Sequence, residues 1–479
     1  MLQNKDITKI QEIKMFFKDT WVSPEFFKEY LDLFKFHKAT KIFKSVKSAG
    51  VSFTEIINLL LILPFTTNKT INSLYSNKLA PAVKGKKDVY YRALSNQKID
   101  WRNILLLFVK RYISLSQGFN TDKDTSKYLI FDDTDIEKTG KTIEGISKIY
   151  NHVTKTFIYG YKLLVAGYWS GGVFIPVDFS FHREYKDNKK KKYGLTKKEY
   201  KKQKRTKCDS KLPVTKRFKE LNAKKTDILV QMFKRIKKRK IEVDYILFDS
   251  WFTSISLISK LLKVANVTII GMYKYNSKIK IGDNLRTIKQ LRKHKNKLKR
   301  SRKYKFYYLS HTGVIDDVQV KVFLIRKGKR GSWHTIISTD TGLNFNQMMS
   351  IYRKRWAIEV FIKEAKQLLG LGTSQSTNFD VQVAQTTINM IQYLLISIKF
   401  RQQAYETIGG LFKDVKQDFI EHKLDERIMI ALIELIAVLD FLIENFDIEI
   451  TISKLIRYNE KFDFLRKIQQ NENLCKLAA

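Results

Sequence analysis

Carboxylates close two apolar runs of this 479-residue chain. In YLIFDDTD, beginning at Tyr128, the run ends in Asp132, Asp133 and Asp135; in YILFDSWF an apolar strand pattern delivers Asp249 to its carboxyl end. A carboxylate at the end of a buried strand is costly unless it is paired, hydrogen-bonded or bound to a cation. Strand ends of an α/β sheet are also where ligands bind. Taken singly, each such Asp reads more readily as a turn or helix-cap residue. A third constellation is Tyr352, Arg355, Glu359 and Lys366. At about 100° per residue these four fall within an arc of roughly 60° on one helix face. That face presents an aromatic, a guanidinium, a carboxylate and an ammonium in a row. Helix geometry alone favours a plain exposed face, with an Arg355–Glu359 pair at i,i+4 contributing a few tenths of a kcal/mol.

The segments that must position these residues alternate between strand and helix patterns. VSFTEIINLLLILPF (51–65) and WRNILLLFVKRYISLS (101–116) carry long apolar faces, with Pro64 and Pro81 as breaks, so the first 120 residues read as helical. YLIFDDT, GYKLLVAGYW (160–169) and GGVFIPVDFSF (171–181) read as three consecutive antiparallel strands, the last two joined as a hairpin through Ser170-Gly171-Gly172. An amphipathic helix (KKTDILVQMFKRIKKRK), a buried strand (VDYILFDS), a helix (FTSISLISKLLKV) and a strand (VTIIGMY) follow. Residues 274–340 form short alternating runs that predict a β-rich insertion. A long helix over 345–370, closed by Gly370, then carries the Tyr-Arg-Glu-Lys face. The predicted class is α/β: an RNase H-like core with a mixed sheet in the order βββ-α-β-α-β-α, interrupted by that insertion, with helical N- and C-terminal regions.

Charge narrows the partner. Ninety Lys and Arg against 47 Asp and Glu leave a net +43, which a compact chain tolerates when something anionic shares its surface. Two runs concentrate it, 189–211 with 12 basic and 2 acidic residues, and 286–305 (RTIKQLRKHKNKLKRSRKYK). Each is a candidate surface for tracking a phosphate backbone, with Lys189, Lys190, Lys191 and Lys192 leading the first. The last 59 residues instead hold 11 acids and 8 bases and include the apolar run IMIALIELIAVLDFLI. That segment has no call to bind phosphate and suits a contact between copies of the chain. Two cysteines and seven scattered histidines exclude a disulfide framework and make a structural zinc site improbable. The amino terminus has charges where a signal peptide needs an apolar stretch, and the most apolar run, 16 residues with Glu434 and Asp440 inside it, is short of a membrane span. A cytoplasmic, nucleoid-associated bacterial protein with no membrane partner is the expectation.

The spacing Tyr-x2-Arg-x3-Glu-x6-Lys, met as YRKRWAIEVFIKEAK, resembles the signature of the IS4-type DDE transposases. The context is similar too: an Asp-Thr after the first strand, an Asp after a later strand, and a β-rich insertion before the signature helix. The resemblance spans roughly 127–370 and implies catalytic, metal-holding roles for Asp133, Asp249 and Glu359, with Asp132 competing with Asp133. It implies DNA contacts for Tyr352, Arg355 and Lys366, on phosphates flanking the scissile bond. Trp333 and Trp356 resemble positions that stack on a displaced base; core packing is as good a reading for Trp333 and the better one for Trp356. Three carboxylates make a hard oxygen site suited to Mg²⁺, with Mn²⁺ able to substitute, and two such ions about 3.5–4 Å apart can activate a nucleophile and stabilise a leaving oxygen.

The expected organisation is a DNA-binding helical region (1–120), a first part of the catalytic core (121–273), the insertion (274–340), a second part of the core with the Glu-bearing helix (341–400) and a helical dimerisation region (401–479). The expected activity is metal-dependent cleavage and strand transfer of double-stranded DNA, at element ends and target, by a homodimer in a synaptic complex. An inactive DNA-binding descendant and an RNase H-like nuclease are the rival readings.

Overall fold

The computed structural model describes residues 33–35, 49–66, 70–76, 85–116, 125–152, 154–184, 194–203, 209–293, 298–402 and 407–417. The run Lys189–Lys192 and most of the expected dimerisation region lie outside the described residues.

The helices described ahead of the sheet are α1 (Phe53–Ile62), α2 (Ile71–Ser76), α3 (Lys87–Leu94) and α4 (Trp101–Ser116). Ser52 caps α1 through a reciprocal box with Glu55, and Pro64 falls in the 3₁₀ turn that ends it, as its missing N–H requires. The core sheet begins with β1 (Tyr128–Glu137), β2 (Ser147–Asn151), β3 (Thr156–Ser170) and β4 (Val173–His182). The β3–β4 hairpin closes over Gly171 and Gly172, both at positive φ, where a side chain would be strained. After α5 (Lys197–Lys202), α6 (Pro213–Glu220) and α7 (Lys225–Lys238), the chain forms β5 (Tyr245–Phe248), α8 (Ile255–Leu262) and β6 (Thr268–Tyr273). β1 pairs antiparallel with β3 and parallel with β5, and β5 is parallel to β6. This is the expected mixed α/β sheet of an RNase H-like core, with β2 as a short extra strand on β3.

The insertion builds no sheet of its own. Its elements are β7 (Lys278–Ile281), β8 (Asn284–Thr287), α9 (Ile288–Leu291), β9 (Lys299–Ser301), β10 (Phe306–Ile315), β11 (Val318–Lys327) and β12 (His334–Ser338). β12 pairs antiparallel with β6, so one 12-stranded sheet runs from the core through the insertion. An edge strand leaves its N–H and C=O groups unpaired, and β12 satisfies those of β6.

The expected single helix over 345–370 is also divided: α10 (Phe345–Tyr352), a 3₁₀ turn (Arg353–Arg355) and α11 (Trp356–Leu368). Tyr352, Arg353, Arg355 and Trp356 keep right-handed helical angles, so the chain stays helical while the winding tightens to about three residues per turn. α12 (Phe379–Gln402) follows and is buried on nearly all sides between 380 and 398, with polar side chains such as Gln382, Asn389 and Gln392 buried among its apolar ones. It packs against α4, α1, α3 and β4, so the N-terminal helices are fastened to the core rather than standing apart. Buried Gln392 donates to the carbonyls of Leu60 and Leu61, at the carboxyl end of α1. No helix among the described residues is long and apolar enough to cross a membrane.

One close approach fixes the turn after β5. Gly271 of β6 lies opposite Phe248, and a Cβ there would stand 2.3 Å from Thr253 Oγ1. That hydroxyl donates to the Asp249 carbonyl at 2.8 Å, so the space a side chain would need is filled by the group that closes the Asp249 turn. Gly271→Ala should therefore cost about 1–3 kcal/mol of stability through overpacking, read as a lowered midpoint in thermal unfolding; an unchanged midpoint would show that the turn yields freely.

Candidate active site

β1 does not stop at its acidic residues. It runs on to Glu137 because β3 pairs with it throughout, from Tyr128↔Trp169 to Glu137↔Gly160. It is β5 that ends, at Phe248, after pairing Tyr128↔Tyr245, Leu129↔Ile246 and Ile130↔Leu247. Continuing that register sets Asp132 level with Asp249, and paired residues of parallel strands point to the same face. Successive side chains alternate, so Asp133 points to the other face.

The partners divide the same way. Arg355 reaches Asp132 Oδ2 at 3.4 Å and forms an ion pair with Glu359 one turn further on. Asp133 forms its ion pair with Lys225, the first residue of α7. Asp135 pairs with Lys162 of β3. Of the two readings the sequence left open for the first carboxylate, the geometry places Asp132 beside Arg355 and Glu359, and Asp133 beside Lys225. Asp132 is the member of the pair on the Arg355–Glu359 face, because a strand reverses direction at every residue.

The signature face survives the 3₁₀ turn, with altered contacts. Tyr352 Oη donates to the Phe248 carbonyl at 3.2 Å, at the point where β5 gives way to Asp249. Lys366 Nζ donates to Thr134 Oγ1 at 2.8 Å and to the Asp135 carbonyl at 2.9 Å, tying the far end of α11 to β1. Burial lowers its pKa, with Asp135 opposing. These two bonds are made by the same ammonium for which the family resemblance implies a phosphate contact. Glu364, off this face, accepts from Tyr393 of α12 at 2.9 Å.

Charge is under strain at this site. Burial pushes the Asp132 carboxyl up to about 7; the Asp133 N–H and Arg355 oppose the rise, while the charges of Asp133 and Asp249 add to it. Tyr352 is likewise pushed up, by burial and by the Asp249 charge, against Arg355. Among the described residues no three acidic, histidine or cysteine side chains stand close enough to chelate one ion, since Asp132 and Glu359 both lie against Arg355. The donor set still fits a hard divalent cation: carboxylate oxygens only, half-buried, with burial the main cause of the raised Asp132 carboxyl and the charges of Asp133 and Asp249 adding to it.

The tryptophans separate. Trp356 is 61% exposed, so the core-packing reading fails for it; its position on α11 turns it outward beside Arg355. Trp333 is half-buried under the Arg326 guanidinium, 4.7 Å from the ring centre. Sequence reasoning missed Lys225 and Trp251. Trp251, two residues past Asp249, is 59% exposed and has Lys225 Nζ 4.1 Å above its ring. The adjacency of Trp251 to Asp249 was a visible signal; nothing in the sequence linked Lys225 to Asp133.

A carboxyl raised in the folded state binds protons there that the unfolded chain has released, so the Asp132 contribution favours the metal-free fold at low pH. It is lost as pH rises from about 4 toward 7. Asp132→Asn should raise the unfolding midpoint of metal-free protein at pH 8 and remove its stabilisation by Mg²⁺. Asp133→Asn should leave the Mg²⁺ response in place. Thermal unfolding with and without the cation checks both, and the reverse pattern would reassign the first carboxylate.

A family model described as DDE superfamily endonuclease matches residues 59–336, from α1 through β12, and includes Asp132 and Asp249. Comparison with curated proteins returns no match. With the matched stretch exceeding half of the sequence and the sheet that family implies in place, the chain belongs to the DDE superfamily of endonucleases.

Proposed function

We propose that this DDE endonuclease is the transposase of an IS4-type insertion sequence, cutting double-stranded DNA at the element's terminal inverted repeats and joining the ends to a target. The observation that carries the reading is the single guanidinium of Arg355 lying against both Asp132 and Glu359, beside Asp249 at the end of β5. Asp132, Asp249 and Glu359 would hold Mg²⁺ or Mn²⁺, with Asp132 taking the role the sequence assigned to Asp133. A divalent cation, when bound, polarises the scissile phosphodiester and promotes ionisation of the attacking water or 3′-hydroxyl.

The chain's own groups have separable tasks. Arg355 offsets part of the charge of Asp132 and Glu359, and would be free to bind phosphate if those carboxylates held a cation. Tyr352, bonded to the Phe248 carbonyl, holds the signature helix against the Asp249 turn. Exposed Trp356 offers a ring to an unstacked base. Around the insertion, Arg286, Lys289, Arg292, Lys299, Arg300, Arg302 and Lys303 are all exposed, which suits backbone binding without sequence readout. The segment Lys189–Lys192 is assigned the same role, the first 120 residues are assigned to end binding, and 401–479 to pairing two protomers in a synaptic complex.

Incubating purified protein with a duplex bearing the element's terminal repeat and Mg²⁺ should give nicked ends and strand-transfer products. Glu359→Gln should reduce cleavage at least about a thousandfold while end binding stays within a few-fold. Nicking without joining would move the assignment to a nuclease, and binding without cleavage by wild-type protein to an inactive descendant. Replacing Arg300, Arg302 and Lys303 by Gln should weaken DNA binding across sequences and reduce the slope of log K against log salt by about 0.9 per lost contact; an unaltered slope would remove this face from the interface.

A further inference from the structure

A second charged cluster lies on the opposite face of the sheet. β4 carries a bulge between Pro176 and Asp178, the extra residue reversing which side chains face which layer. Asp178 pairs in register with Ala166 of β3, which pairs with Phe131 of β1, so Asp178 shares the Asp133 face and is turned away from Asp132 and Glu359. It is completely buried, and its carboxylate meets Arg102 at 3.0 Å, Arg235 at 2.7 Å and Arg217 at 3.9 Å. Glu220 joins the cluster, 2.7 Å from Arg102 and 3.8 Å from Arg217. Burial disfavours the Asp178 charge, but the three arginines hold its carboxyl well below the usual range. Three guanidinium groups thus meet two carboxylates, leaving one positive charge over in a site where an unmatched charge is costly.

Above this cluster opens a cleft of about 530 Å³, within the size range of small-ligand sites. Its wall includes Trp101, Arg102, Lys216, Arg217, Lys219 and Arg235, from α4, α6 and α7. Asp100 and Glu220 are its acidic members, and Glu220 is already engaged by Arg102. Three buried N–H donors in this wall have no hydrogen-bond partner: Trp101 Nε1, Arg217 Nε and Arg217 Nη2. Trp101 is 4% exposed and Arg217 5%. Arg217 spends its remaining Nη1 on the Phe179 carbonyl and stacks 4.1 Å over the Phe179 ring. Native proteins pair almost all buried donors, so three orphans in one wall mark a place for an acceptor. Burial, with Arg102 adding to it, lowers the Arg217 pKa to about 9, as expected of a cation short of counter-charge.

We propose that this cleft binds a phosphate group, with Trp101 Nε1 and the Arg217 fork donating to its oxygens and Lys216 and Lys219 at the exposed rim drawing it in. A planar guanidinium and an indole N–H suit a polyoxygen anion, and the spare positive charge suits its valence. The phosphate can belong to a DNA backbone or be free. Because Trp101 and Arg102 open α4 while Arg217 and Arg235 lie on α6 and α7, an occupant would bridge the N-terminal helices and the catalytic core on the face away from the carboxylates. This does not rest on the transposase reading.

The test is calorimetric and thermal-shift titration of the full chain with inorganic phosphate and pyrophosphate at fixed ionic strength, with chloride as control. Saturable binding is expected, weakened about tenfold in Trp101→Phe, which keeps the ring and removes the donor, and at least as much in Arg217→Gln. The Mg²⁺ response of both variants should match wild type. Should Arg217→Gln fail to fold, Trp101→Phe and Lys216→Gln/Lys219→Gln decide the matter. Absence of binding beyond the chloride control, or binding undiminished in Trp101→Phe and the double lysine variant, would overturn the proposal. A short duplex that abolishes the added response to free phosphate, and binds Trp101→Phe more weakly, assigns the site to backbone phosphate; additive responses assign it to a free one.

Discussion

A carboxylate held in a half-buried site is costly unless positive charge lies against it, and the placement of that charge governs this molecule. Asp132 on a strand and Glu359 on a helix far apart in sequence both lie against the Arg355 guanidinium, and the charge of Asp249, at the turn after β5, is felt at Asp132. Burial raises the Asp132 pKa, and the Asp133 N–H and Arg355 oppose that rise only in part. A site built for stability alone would bury fewer acids or supply more partners, as the Asp178 cluster does with three arginines. The two clusters are complementary: one lacks positive charge and fits a dication, the other lacks negative charge and fits an oxyanion.

The surrounding fold can be understood as support for that gathering. β5 stops short so that Asp249 leaves the sheet level with Asp132, and Thr253 and Gly271 hold its turn against β6. α11 is fixed at both ends, by Tyr352 on the Phe248 carbonyl before it and by Lys366 on β1 at its last turn. Between these anchors the 3₁₀ turn presents Arg355 and Glu359 one helical turn apart, close enough to pair. Trp251 and Trp356 are left outside the core on either side, large rings exposed where hydrophobic burial alone would have hidden them.

Much of this was legible in the chain. Period-two and apolar runs gave β1, β3, β4, β5 and β6, the glycine pair gave the hairpin, and the residue spacing gave the Tyr352–Lys366 face, because each rests on interactions within a few residues. The extension of the sheet by β12 was not legible, since strand pairing across some sixty residues leaves no local trace. Nor was the break at Arg353–Arg355, where nothing in YRKRW distinguishes a tightened turn from a regular one.

Asp132 and Asp133 make the division plain. Composition and pattern determined that an acidic pair would close an apolar strand run in a strongly basic protein of α/β class, and the resemblance of the Tyr352–Lys366 spacing to a transposase signature linked that pair to a second Asp and a Glu-bearing helix. Which of the two adjacent acids faces that helix depends on strand phase relative to the layers packed above and below, and one residue reverses it. Only the assembled sheet, with Arg355 on one side of β1 and Lys225 on the other, decided that question, because side-chain direction in a strand is set by long-range packing rather than by neighbours in the chain.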